Sequence, residues 1–198
     1  MPRQARKRRL YDGALYHIIN RGHNKSLLYR DTNDFNKFRR IVGEYKKKYT
    51  FDLYHYCFMP NHFHMIMKIK NGRELPLLMK RITLKYVNYY RERYKSVGNV
   101  FQGRYKSILI EKEEYLLECS RYIERNPLRA GVAKDIKDYP WSSYHYYAAG
   151  AEDYIVSTDP MYSTFGVTPE ERYSKYADFV FVDRLYEQVF EKILGELI

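Results

Sequence analysis

Residues 15–21 alternate branched and aromatic side chains and end at Arg21-Gly22, which reads as a strand running into a turn. Between Asp31 and Tyr49 the period changes. Phe35, Phe38, Ile41, Val42 and Tyr45 recur at helical spacing behind Asp31 and Asn33-Asp34 as candidate caps, predicting an amphipathic helix. Residues 51–58 and 62–69 return to strand character around the turn at Pro60-Asn61 and predict a hairpin. Residues 75–94 place Leu78, Met79, Ile82, Tyr86 and Tyr89 inward and Lys80, Lys85, Arg91 and Arg93 outward, a second helix that Val97-Gly98-Asn99 breaks. A fourth strand follows at 107–110, and a third helix over 113–126 is stopped by Pro127. This order begins a split βαβ (ferredoxin-like) arrangement, an α+β fold with an antiparallel sheet and helices on one face. Loops 71–74 and 99–103 are candidate substrate-contacting edges. Residues 150–160 read as a linker. Residues 169–197 read as a helical pair with Tyr173, Tyr176, Phe179, Val182, Leu185, Val189 and Phe190 in apolar rows.

Composition narrows the class. A 198-residue chain that is 45% hydrophobic can bury one core plus an extension. Its 23 tyrosines supply apolar area with a polar tip, which suits cores and base-stacking surfaces alike. Cys57 and Cys119 lack any CxxC spacing, which implies a reducing compartment and neither a disulfide framework nor a zinc knuckle. No apolar stretch reaches the length of a membrane span, and the basic start has no apolar core behind it, so a cytoplasmic protein is expected.

Charge is unevenly placed. Residues 150–198 hold ten acidic and four basic side chains, leaving 14 acidic and 31 basic in the first 149, so the halves carry −6 and +17. A polyanion such as nucleic acid is the expected partner of the first part. Three regions follow: a basic arm over 1–10, a catalytic domain over 11–149 and an acidic helical extension over 150–198. The arm, with Arg3, Arg6, Lys7, Arg8 and Arg9, orders on phosphate or merely solubilises.

His62 and His64 share one face of their strand, roughly 7 Å apart, near the mouth of the hairpin. Such a pair either packs and hydrogen-bonds or holds one metal ion. On the third helix Leu116, Cys119 and Ile123 form an apolar stripe, Glu118, Arg121 and Arg125 the opposite polar face, and Tyr122 and Asn126 lie one turn apart on the border. If this helix packs under the hairpin, Asn126 can offer its oxygen to an ion on the histidines, with the Tyr122 phenol beside it. Border tyrosines also serve simply as snorkelling side chains, and Tyr115 lies on nearly the same helix face.

His62-Phe63-His64 and Tyr122-Ile123-Glu124-Arg125-Asn126-Pro127-Leu128-Arg129-Ala130-Gly131 resemble the one-tyrosine HUH transposases, and within them the REP-associated tyrosine transposases. Further matching segments are Tyr16-His17-Ile18-Ile19-Asn20-Arg21-Gly22, Met59-Pro60-Asn61, Gly103-Arg104-Tyr105-Lys106-Ser107 and Tyr139-Pro140-Trp141-Ser142-Ser143-Tyr144, in order over residues 16–147. The resemblance implies cleavage and strand transfer on hairpin-forming single-stranded DNA through a 5′-phosphotyrosine. It implies Tyr122 as nucleophile, His62 and His64 as the metal pair and Asn126 as third ligand. Nitrogen and oxygen ligands with open positions suit Mg2+ or Mn2+. Resemblance and charge together assign Arg21, Arg104, Lys106 and Arg129 to DNA, with a homodimer as the candidate assembly. The competing classes are a cleavage-dead DNA- or RNA-binding regulator of the same fold and a metal-dependent ribonuclease that activates water.

Overall fold

The computed structural model describes residues 10–182, so the basic arm up to residue 9 and the second helix of the expected C-terminal pair lie outside the described residues. Four strands, β1 (Ala14–Arg21), β2 (Phe51–Met59), β3 (His62–Ile69) and β4 (Lys106–Ile110), form one antiparallel sheet in the order β2-β3-β1-β4. Helix α1 (Thr32–Lys48) connects β1 to β2, and α2 (Leu75–Tyr94) connects β3 to β4. This is the split βαβ arrangement, and the α+β class is as the pattern implies.

Alternation along the strands divides the interior in two. Tyr16, Ile18, Phe63, Met65 and Met67 point toward α1 and α2 and build the larger core. Ile19, Cys57 and Ile66 point the other way, where α3 (Glu113–Glu124) supplies Leu116, Cys119, Tyr122 and Ile123. The two crossover helices share a face as expected. The third helix lies on the opposite face, so the helices do not all sit on one side.

Helix α1 starts where Asp31 accepts from the Asn33 and Asp34 backbone N–H groups, a satisfied cap. Asp34, fully buried, then ties α1 to α2. Its carboxylate accepts from the Arg30 backbone N–H, the Tyr89 and Tyr94 hydroxyls and Arg93 at 2.5–2.8 Å. Three buried tyrosines are treated likewise: Tyr86, Tyr139 and Tyr147 donate to the carbonyls of Leu28, Phe58 and Tyr54. Much of the tyrosine content is therefore core with a satisfied tip.

Pro127 does not end the helical run. It occupies the first turn of α4 (Asn126–Arg129), where its missing N–H costs nothing, and the chain bends only at Arg125. After α5 (Tyr144–Ala149) the chain does not drift away as a linker. Ile155 is fully buried, Asp153 pairs with Arg39 and accepts from the Tyr56 hydroxyl, and the Ser157 N–H donates to the Leu53 carbonyl. Helix α6 (Pro169–Phe181) follows, capped by Thr168. Arg121 and Arg125, expected on the polar face of α3, are buried, donating to the carbonyls of Val180, Phe181 and Val182 at the C-terminal end of α6. Cationic side chains suit that end of a helix. The expected polar face of α3 is thus covered, and α3 lies between the sheet and α6.

Candidate metal and nucleophile site

β3 enters the sheet at His62, opposite Arg21 of β1 and Met59 of β2. Two residues on, His64 faces the same side and is fully buried, and the two imidazoles meet edge to face with centroids 4.9 Å apart. Burial pushes His62 down to about 4, with Arg21 adding to the effect against a hydrogen bond to Asn126. Burial, His62, His17 and Arg129 hold His64 well below its ordinary value. Both rings are neutral at physiological pH, the state in which an imidazole nitrogen ligates a metal.

Helix α3 and the start of α4 close the site from below. The Asn126 amide lies 3.3 Å from His64 Nε2 and is also bonded to His62, so one side chain reaches both rings. One turn earlier Tyr122, 5% exposed, sets its ring edge to face with His64 at 6.1 Å, and the Arg129 guanidinium lies 4.5 Å over the Tyr122 ring. Tyr115 is half exposed, away from this cluster. Among the described residues no three histidine, cysteine or carboxylate side chains gather as a metal cluster. A third protein ligand here would therefore be the Asn126 amide oxygen. Two neutral imidazoles plus one amide fit a borderline or hard divalent ion that keeps open positions, and they do not form a closed zinc site.

The basic residues form a second group. Arg21, Arg104 and Lys106 line one cleft with Ile19, Asn20, Gln102 and Gly103. Arg21 donates through Nε and Nη2 to Gln102 Oε1 at 3.1 and 2.9 Å, and the Gln102 N–H donates back to the Arg21 carbonyl. Loop 99–103 therefore abuts the histidine end of the sheet. Loop 71–74 is a tight turn after the far end of β3, so only one of the two expected edges adjoins the site. Arg129 stands apart from the cleft, against Tyr122.

Sequence reasoning assigned no role to His17, whose Nε2 lies 2.9 Å from His64 Nδ1, or to Asn61, whose Oδ1 lies 2.6 Å from His62 Nδ1. Strand parity puts His17 on the face of Ile19, and Ile19 stands directly across from His64. The signal was present, and the pairing register was needed to use it. His55, Glu124 and Asp159 form a further buried cluster behind α3. His55 Nδ1 lies 3.1 Å from Glu124 Oε1, His55 Nε2 lies 3.0 Å from Asp159 Oδ2, and the Tyr176 hydroxyl donates to Glu124 Oε2 at 2.9 Å.

A family model described as "Transposase IS200 like" matches residues 11–126, more than half of the chain. The chain belongs to the IS200-like transposase family. All the candidate site residues of this IS200-like transposase except Arg129 fall inside the matched span. A REP-associated tyrosine transposase of Haemophilus influenzae is 27% identical over 146 residues, covering 67% of this chain and 81% of the relative. A solved REP-associated tyrosine transposase bound to a REP hairpin superimposes with a TM-score of 0.65 at 19% identity, over 79% of this chain and 92% of that one. A transposase structure from Deinococcus radiodurans aligns with a TM-score of 0.43 at 16% identity, over 61% of this chain and 97% of its own. The first solved neighbour shows the sheet and helices to be those of a transposase fold. Among the described residues no helix is long and apolar enough to cross a membrane.

Proposed function

We propose that this IS200-like transposase cuts and rejoins hairpin-forming single-stranded DNA, with Tyr122 as nucleophile and His62, His64 and Asn126 as the ligands of Mg2+ or Mn2+. The observation that carries the reading is Asn126, which reaches both histidines from one turn beyond Tyr122. When bound there, the ion supplies Lewis-acid charge to a phosphate. Tyr122 Oη attacks phosphorus, the new Oη–P bond forms as the P–O3′ bond breaks, and the 5′ phosphate stays on the tyrosine. The phenol loses a proton and the departing 3′ oxygen gains one, so the step is proton-neutral, and attack by a 3′ hydroxyl reverses it. A phenol with an ordinary pKa near 10 needs help at neutral pH. Arg129, stacked on the Tyr122 ring, favours the developing phenolate. Arg21, Arg104 and Lys106 hold the backbone of the strand along their cleft. The hairpin-bound neighbour and the Haemophilus relative support a REP-like hairpin as substrate.

The test uses labelled hairpin-bearing single strands and a denaturing gel. The wild-type chain with Mn2+ should give cut product and a protein-DNA adduct, both lost in chelator and in Tyr122→Phe, while Tyr115→Phe keeps both. Cleavage that persists in Tyr122→Phe without any wild-type adduct would assign the chemistry to water and favour the nuclease class instead.

A further inference from the structure

We infer that His17 is a positioning residue for the metal pair: it holds the Nδ1–H of His64, so that the His64 Nε2 lone pair faces Asn126. The inference rests on the metal reading above. Two imidazole nitrogens in contact share one proton, and the surroundings decide which ring carries it. The Asn126 nitrogen, 3.3 Å from His64 Nε2, can only donate, so Nε2 is an acceptor and the proton of the neutral ring sits on Nδ1. His64 Nδ1–H then donates to His17 Nε2 at 2.9 Å. The tautomer of His64 is thus set by a partner on β1, on the other side of the ring from Asn126. His17 is buried, and its ring lies tilted against His64 with centroids 5.1 Å apart. Outer partners of this kind orient ligating histidines and raise their basicity.

The experiment titrates Mn2+ into the full-length wild-type chain and into His17→Leu, His17→Gln and His17→Asn by calorimetry. Circular dichroism melts report folding, and 15N imidazole spectra report which His64 nitrogen carries the proton. Expected are a loss of about 10–100-fold in Mn2+ affinity for His17→Leu, and near-wild-type affinity with an Nδ1-protonated His64 for His17→Gln, whose oxygen can stand where Nε2 stood. The shorter His17→Asn should lose affinity. A folded His17→Leu with wild-type affinity, or equal affinities for the Gln and Asn variants, overturns the inference. No Mn2+ binding by the wild-type chain overturns the metal reading beneath it, a different and separable result.

Discussion

Replacing His55 with leucine should change the pH dependence of stability in a calculable way. The ring is fully buried between Glu124 and Asp159 and stacks on Tyr147 at 4.4 Å. Burial alone would lower its pKa, but the hydrogen bonds and charges of Asp159 and Glu124 outweigh burial and raise it to about 9 from the ordinary 6.5. At 1.36 kcal/mol per unit, the protonated ring contributes about 3 kcal/mol to folding. The folded value is the higher one, so the contribution is complete below pH 6.5. It falls as pH rises and is nearly gone at pH 9. Urea unfolding of wild type and His55→Leu, followed by circular dichroism from pH 6 to 9.5, gives the difference curve in which other titrations cancel. That difference should shrink by about 3 kcal/mol over this range. An offset remains as well, because leucine leaves two buried carboxylates without a counter-charge. A flat difference would mean that His55 is not an imidazolium in the folded chain.

Asp34→Ala removes the acceptor of four hydrogen bonds, three of them from α2, and should cost about 3–5 kcal/mol in urea unfolding; a loss below about 1 kcal/mol would contradict that network. Arg104→Ala and Lys106→Ala should each weaken single-strand binding and lower the log-log salt slope by about 0.7, measured by fluorescence anisotropy at several salt concentrations. Ending the chain at Ala149 should unfold the transposase or leave it molten, since Ile155, Tyr176 and Val180 are buried in the core and α6 covers Arg121 and Arg125; the loss, about 5 kcal/mol or more, rivals the stability of a typical domain. A cooperative melt by the shortened chain would contradict this.

The elements were legible because their periods were clean: two for β3 with His62 and His64 in phase, 3.6 for α3 with Tyr122 and Asn126 one turn apart. What escaped was of three kinds. Arg121 and Arg125 have the composition of a solvated face, yet they terminate α6, a partner 55 to 61 residues away that no local period reveals. Residues 150–160 are polar and Gly-led like a linker, yet backbone hydrogen bonds and the Asp153 contacts hold them along the outer edge of β2. His17 needed the register of β1 against β3 before it could be placed diagonal to His64, since spacing along one strand says nothing about its neighbour.

The central position of β1 restricts how the chain can change in length. Its residues pair with β3 on one side and β4 on the other, and along eight residues it carries His17 against His64 and Arg21 at the cleft. Inserting or deleting one residue within it would reverse the facing of every side chain beyond the change, sending His17 or Ile19 into the α1 and α2 core. The segment between α2 and Phe101 has the opposite character: Val97 is fully exposed and Gly98, at φ +90°, has open space around it. Residues can be added there without shifting either strand that flanks β1, so a transposase diversified by length variation would vary at 95–99 and keep β1 at a fixed count.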